Sequence, residues 1–122
     1  MKEREQRREV RYALDKNETS SVPALVRCDD GNAFRARIVD ISASGMGLLM
    51  LEPGPCCMPP HGCEMAVEVE KPACELRGMC VHRGERNSGA RFGFYVHNPV
   101  ELHKLHKLRE TVLAERTVWH DN

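Results

Sequence analysis

Asp40-Ile41-Ser42-Ala43-Ser44-Gly45-Met46-Gly47-Leu48 lies between two apolar runs, Phe34 to Val39 before it and Leu48 to Leu51 after it. The flanks read as strands, and the small polar residues between them read as a tight connection. A carboxylate, two hydroxyls and two glycines occupy that connection. The ordinary use of such groups is a hairpin turn closed by Asx-type hydrogen bonds. The same groups offer a polar ligand an acceptor, two donors and closely approachable backbone. Just upstream the apolar parity changes. Phe34, Ala36 and Ile38 share one strand face, whereas Val39 and Ile41 fall on the other. A phase change of one residue is the mark of a β-bulge, so a bulge is expected at Asp40, where it would re-aim the side chain.

Working outward, Ser21 to Cys28 alternates Val22, Ala24, Val26 and Cys28 and reads as a strand. Asp29-Asp30-Gly31-Asn32 is a strong turn signal that returns the chain through Phe34 to Val39 as a hairpin. Met46 to Leu51 is apolar on both faces and is expected to be central and covered on both sides. Four prolines make Glu52 to His61 a loop. Further strands are expected over Cys63 to Glu70, Cys74 to Arg83 and Ala90 to Val96, with turns at Lys71-Pro72 and Gly84 to Gly89. Tyr12 to Ser21 reads as a connection.

Asn98-Pro99-Val100-Glu101 opens a helix, with Asn98 as N-cap, Pro99 at the first helical position and Glu101 completing a capping box. Leu102, Leu105, Leu108, Val112 and Leu113 form an apolar stripe, and the helix is expected to run to about Val118. Short strands at regular spacing, followed by one helix, predict a mainly β protein: an antiparallel barrel with the helix over one opening.

At 122 residues the chain fits one domain. Its 18 basic and 18 acidic residues cancel, which argues against bulk electrostatic binding to DNA, RNA or an anionic membrane. No run reaches the roughly 18 apolar residues of a membrane span, and no apolar signal segment is visible, so a cytoplasmic protein without membrane insertion is expected. Its six cysteines are then expected to be reduced thiols.

Cys56, Cys57, His61 and Cys63, with Cys74, Cys80 and His82 further on, have the chemistry of zinc ligands. No Cys-x-x-Cys pair occurs among them, and Cys74 and Cys80 lie about 20 Å apart along an extended strand. Buried or incidental thiols are the favoured reading. Ser42 and Ser44 have no nucleophile elbow and no recognisable base. No Walker loop or dinucleotide fingerprint is present. Neither a catalytic residue, a metal site nor a cofactor is assigned, and the chain is read as not an enzyme.

Residues 2 to 11 are charged, with Arg7 four before Arg11 and Arg8 between them. Alone this is a solvated terminus or an arginine clamp for an anion or a guanine. Arg7-Arg8-Glu9-Val10-Arg11 fits Arg-x-x-x-Arg, and Asp40-Ile41-Ser42-Ala43-Ser44-Gly45 fits Asp-x-Ser-x-x-Gly at the end of a strand. In this order and spacing the two motifs resemble the PilZ family of bacterial receptor domains for the second messenger cyclic di-GMP.

The resemblance spans nearly the whole chain and implies a six-stranded antiparallel β-barrel with a C-terminal α-helix and a flexible N-terminal arm. The expected divisions are 1–12 for the arm, 20–97 for the barrel and 98–118 for the helix, all within a single domain over 1–122. It also implies that Arg7, Arg11, Asp40, Ser42 and Gly45 contact cyclic di-GMP, with Arg8 as an additional contact. The ligand would order the arm over the barrel, creating a surface for a downstream protein partner on a monomer or weak dimer. Two alternatives stand beside this one. The first is a PilZ-like adaptor that works by protein–protein contact without nucleotide, and the second is a small metal- or redox-responsive barrel using the cysteines.

Overall fold

The computed structural model describes residues 12–14, 22–51, 59–84 and 91–121, with side chains over 12–14, 22–51, 59–81 and 91–114. Among the described residues seven strands precede one helix: β1 (Tyr12–Ala13), β2 (Val22–Cys28), β3 (Ala33–Ile41), β4 (Gly45–Met50), β5 (Glu64–Glu70), β6 (Ala73–Gly84), β7 (Arg91–Tyr95) and α1 (Pro99–Asp121). Neighbours run β3-β2-β5-β6-β7-β4, and β4 pairs back onto β3, so six strands close into an antiparallel barrel as expected. Closure leaves no long free edge. None of the described helical residues forms a stretch long and apolar enough to cross a membrane.

The barrel fills because each strand turns alternate side chains inward. Val26 of β2 lies opposite Val67 of β5, which lies opposite Leu76 of β6, and all three are fully buried. Phe34 and Phe92 meet edge to face inside the barrel, with ring centroids 5.9 Å apart. In β4, Met46, Leu48 and Met50 point inward, whereas Gly47 and Leu49 are only half-buried. This strand is central, paired with β3 and β7, but it is covered on one face rather than both. The β2–β3 turn forms as read. The Asn32 backbone N–H donates to Asp30 Oδ1 at 3.0 Å, and Gly31 takes a φ of +97°.

The start of α1 differs in one respect from its sequence signature. Asn98 Oδ1 accepts the Val100 N–H at 2.8 Å, as an N-cap should. Glu101 does not turn back on the cap. Its Oε1 accepts the Arg77 backbone N–H at 2.9 Å, and Lys104 Nζ donates to the Glu75 carbonyl at 3.1 Å. Pairing between β6 and β7 begins only at Met79, so the earlier part of β6 presents unpaired backbone on that side. The first two turns of the helix satisfy that edge. Beyond them Leu105, Leu108 and Val112 are buried in the common core, with Leu102 and Leu113 packed at its margin. The helix continues past Val118 to Asp121.

The segment read as a simple connection also holds structure. Tyr12 and Ala13 pair with Ile41 and Asp40 of β3, beyond the point where β2 ends its own pairing. The Leu14 N–H donates to the Val39 carbonyl at 2.7 Å, and Leu14 itself is buried in the core.

Candidate ligand-binding site

The expected bulge is present. The β3–β4 register shifts between Ile38 and Asp40, so Ile38 and Val39 are both buried in succession. Ile38 belongs to the barrel core, and Asp40 is half-buried on the outer side. Its carboxylate lies across the backbone of Gly47, its partner on β4. A Cβ at Gly47 would sit 2.6 Å from Asp40 Oδ2 and 2.8 Å from Oδ1. Gly47 in turn faces Gly93 of β7, so two residues without side chains lie in a row beside the carboxylate. Such a bare strip lets a flat ligand approach the sheet.

Ser42 lies within the turn itself. It is 1% exposed, the Ser42 N–H donates to the Gly45 carbonyl at 2.9 Å, and its hydroxyl reaches the same oxygen at 3.4 Å. In this arrangement Ser42 bonds within the turn that carries the candidate site. A buried hydroxyl keeps its place only with a partner, which the turn provides. Ala43 is exposed and Ser44 half-buried at the turn's tip, and the Ser44 carbonyl accepts the Val96 N–H at 2.9 Å.

Gly45 is buried, and a Cβ there would collide with the Phe94 carbonyl oxygen. The requirement is close approach of β4 to β7 rather than an unusual backbone angle, since the described glycines with positive φ are Gly31 and Gly62. Arg7, Arg8 and Arg11 lie outside the described residues. What the structure does place is the root of their segment, because β1 brings Tyr12 and Ala13 alongside Asp40 and Ile41.

Among the described cysteines, Cys28 and Cys80 are buried, and Cys63 and Cys74 pack at the margin of the core. Burial, reinforced by neighbouring Cys63, pushes the Cys28 thiol up to about 12, and burial also raises Cys74. A thiol held protonated is a poor metal ligand and a poor nucleophile at neutral pH. Among the described residues no group of three His, Cys, Asp or Glu side chains is placed to hold a metal ion.

A comparison with known families accounts for this combination of barrel, bulge and turn. The PilZ domain profile matches residues 5–114. The chain belongs to the PilZ family. Among solved structures, this PilZ chain is similar to the PilZ domain of YcgR from Escherichia coli, described as holding c-di-GMP. The TM-score is 0.73 at 20% identity, over 96% of this chain and 98% of that one. A crystal structure of YcgR in complex with c-di-GMP, from the same organism, matches with a TM-score of 0.62 at 20% identity, over 95% of this chain. The chain spans 50% of the length of that second protein. No curated protein sequence matches the chain.

Gly45 and Gly47 differ in what a side chain would meet, backbone at the first and a carboxylate at the second. Gly47→Ala places its methyl group on the end of a side chain, which can swing aside, rather than on backbone. The expected result is a thermal midpoint within a few degrees of wild type and a displaced Asp40 carboxylate. Ligand affinity should then fall by about tenfold, the cost of one weakened charge-assisted hydrogen bond. Calorimetry combined with thermal denaturation checks both halves.

Proposed function

We propose that the chain is a bacterial, cytoplasmic receptor for cyclic di-GMP. In this reading it is one domain of arm, barrel and helix, and it signals by binding rather than by catalysis. The observation that carries the reading is the outward Asp40 carboxylate at the β3 bulge, beside a glycine strip and beside the root of the arginine-bearing segment. Family membership and the c-di-GMP in the two YcgR structures support it.

The chemistry follows from the ligand's groups. Each guanine has O6 and N7 acceptors that match an arginine fork, and N1–H and N2–H₂ donors that match a carboxylate. Arg7 and Arg11 are assigned to the guanine acceptors and the phosphates, with Arg8 as a further cation. Asp40 is assigned to the guanine donors. Ser42 and Gly45 act by fixing the turn that presents them, so Ser42 contributes through position in this arrangement. Ordering the arm costs roughly 1–2 kcal/mol per residue in backbone entropy, and charge-assisted hydrogen bonds return roughly 1.5–3 kcal/mol each. Several must form together, so binding is sensitive to each arginine. The arm and ligand then make a composite surface that a downstream protein reads, a switch by ordering of a segment.

Titration calorimetry of the full chain with cyclic di-GMP tests this. Binding in the micromolar range or tighter is expected, with Arg11→Ala weakening it by about tenfold or more through loss of one charge-assisted contact. Absence of heat with wild-type protein at tens of micromolar ligand, on the order of −6 kcal/mol or weaker in binding free energy, overturns the receptor reading.

A further inference from the structure

The outer face of β2, β3 and β4 sets arginines between apolar side chains. Arg35 stands opposite Leu25 of β2, and on its other side the Leu51 N–H donates to the Arg35 carbonyl at 2.9 Å. Arg37 stands opposite Pro23 of β2 and Leu49 of β4. Each cation is thus flanked by two apolar residues. Leu51 is 41% exposed, Pro23 and Arg35 are exposed, and Leu25, Arg37 and Leu49 are half-buried. A groove of about 590 Å³ opens on this face, and its lining includes Pro23, Leu25, Arg35, Arg37, Leu51 and Glu70.

Among the described residues no element covers the groove. α1 lies along β6, which is three strands from β3 in either direction round the barrel. Exposed apolar surface rimmed by charge is the usual mark of a partner site, and arginine is enriched in such interfaces. The barrel is closed here, so no strand edge is offered and recognition falls to side chains. Charge then selects the occupant. Of the carboxylates in the lining, Glu68 accepts from Arg27 at 2.8 Å, which leaves Glu70 at the end of β5 against Arg35 and Arg37. Spacing selects its form. Outward residues two apart on a strand are separated by about 6.6 Å, close to the rise of about 6 Å between positions i and i+4 of a helix.

We propose that this face docks an acidic amphipathic helix of a partner protein. Its aliphatic side chains rest on Pro23, Leu25 and Leu51, and carboxylates at i and i+4 meet Arg35 and Arg37. Arg37–Leu49 and Asp40–Gly47 are successive outward pairs of β3 and β4 on either side of the bulge, so a docked helix reaches the border of the candidate ligand site. The inference gives the downstream partner of the receptor reading its chemistry, and it rests on that reading only for the partner's place in signalling.

The test titrates the full chain, without nucleotide, with a synthetic amphipathic peptide carrying leucines at i, i+4 and i+7 and glutamates beside them, and follows backbone amide shifts by NMR. A second peptide replaces every glutamate by lysine. The glutamate peptide is expected to bind at about 0.1 mM or tighter, with shifts centred on Leu25, Arg35, Arg37 and Leu51, and the lysine peptide about fivefold or more weaker. Arg35→Glu and Leu51→Ser change exposed side chains and should each weaken the glutamate peptide by about fivefold or more. Lys107→Glu, the same reversal at an exposed cation of α1, should not. No shifts at about 1 mM peptide, shifts centred elsewhere, equal affinity for the two peptides, or wild-type affinity in either groove variant overturns the proposal. Binding to phosphatidylglycerol vesicles that Arg35→Glu abolishes, with no peptide shifts, assigns the face to a lipid surface and also overturns it. None of these outcomes bears on cyclic di-GMP, whose binding is measured separately by calorimetry.

Discussion

Asp40→Ala should reduce cyclic di-GMP affinity by about a hundredfold while leaving the barrel folded. A carboxylate that accepts both guanine N1–H and N2–H makes two charge-assisted hydrogen bonds, each worth roughly 1.5–3 kcal/mol, and about 2.7 kcal/mol is already a hundredfold. The fold should tolerate the change because the side chain lies on the outer side, across Gly47, and is not part of the buried core. The thermal midpoint is therefore expected to move by only a few degrees, roughly the effect of about 1 kcal/mol in a domain of this size. Asp40→Asn keeps the shape and one carbonyl acceptor but loses the charge, so it should fall between wild type and alanine. Wild-type affinity in Asp40→Ala would show that the ligand sits elsewhere.

Phe94→Ala should have the largest effect on stability. The ring is 1% exposed and fills the barrel, packing so closely over Gly78 that a Cβ there would lie 2.9 Å from the ring Cζ. Truncating a buried phenylalanine costs about 3–5 kcal/mol. In a domain of this length that lowers the unfolding midpoint by roughly 10 °C or more. Circular dichroism against temperature or urea would measure it, and a loss under about 1 kcal/mol would contradict the packing described. Gly45→Ala should act on the same strand from the other side. Its methyl group meets the Phe94 carbonyl, which cannot rotate away, and forcing backbone apart costs about 1–3 kcal/mol. Stability is thus sensitive at Gly45, whereas Gly47, two residues along, bears on the carboxylate.

Much of this was legible in the residues. The change of parity between Ile38 and Val39 announced the bulge, because in a strand a single extra residue inverts every later side chain. The Asn98 cap and the leucine stripe announced the helix and its buried face. β1 was not legible because two residues, Tyr12 and Ala13, show no periodicity, and their pairing partner is almost thirty residues away. Glu101 fitted a capping box by spacing, yet the unpaired edge of β6 claims its carboxylate, a tertiary demand that local sequence does not carry. For Ser42 the spacing identified the turn but not the burial of the hydroxyl or its bond to the Gly45 carbonyl, which only the folded turn sets.

The pairing of Tyr12 with Ile41 also sets a leash. Arg11 is covalently attached to a residue pinned beside Asp40, and Arg7 can stray no further than roughly 17 Å from that anchor even with five residues fully extended. Arginines confined to so small a sphere meet anything resting on the carboxylate at an effective concentration in the millimolar range typical of short tethers. Under the proposed receptor function, their capture of a ligand would be an intramolecular closure, in which most of the search is completed by folding.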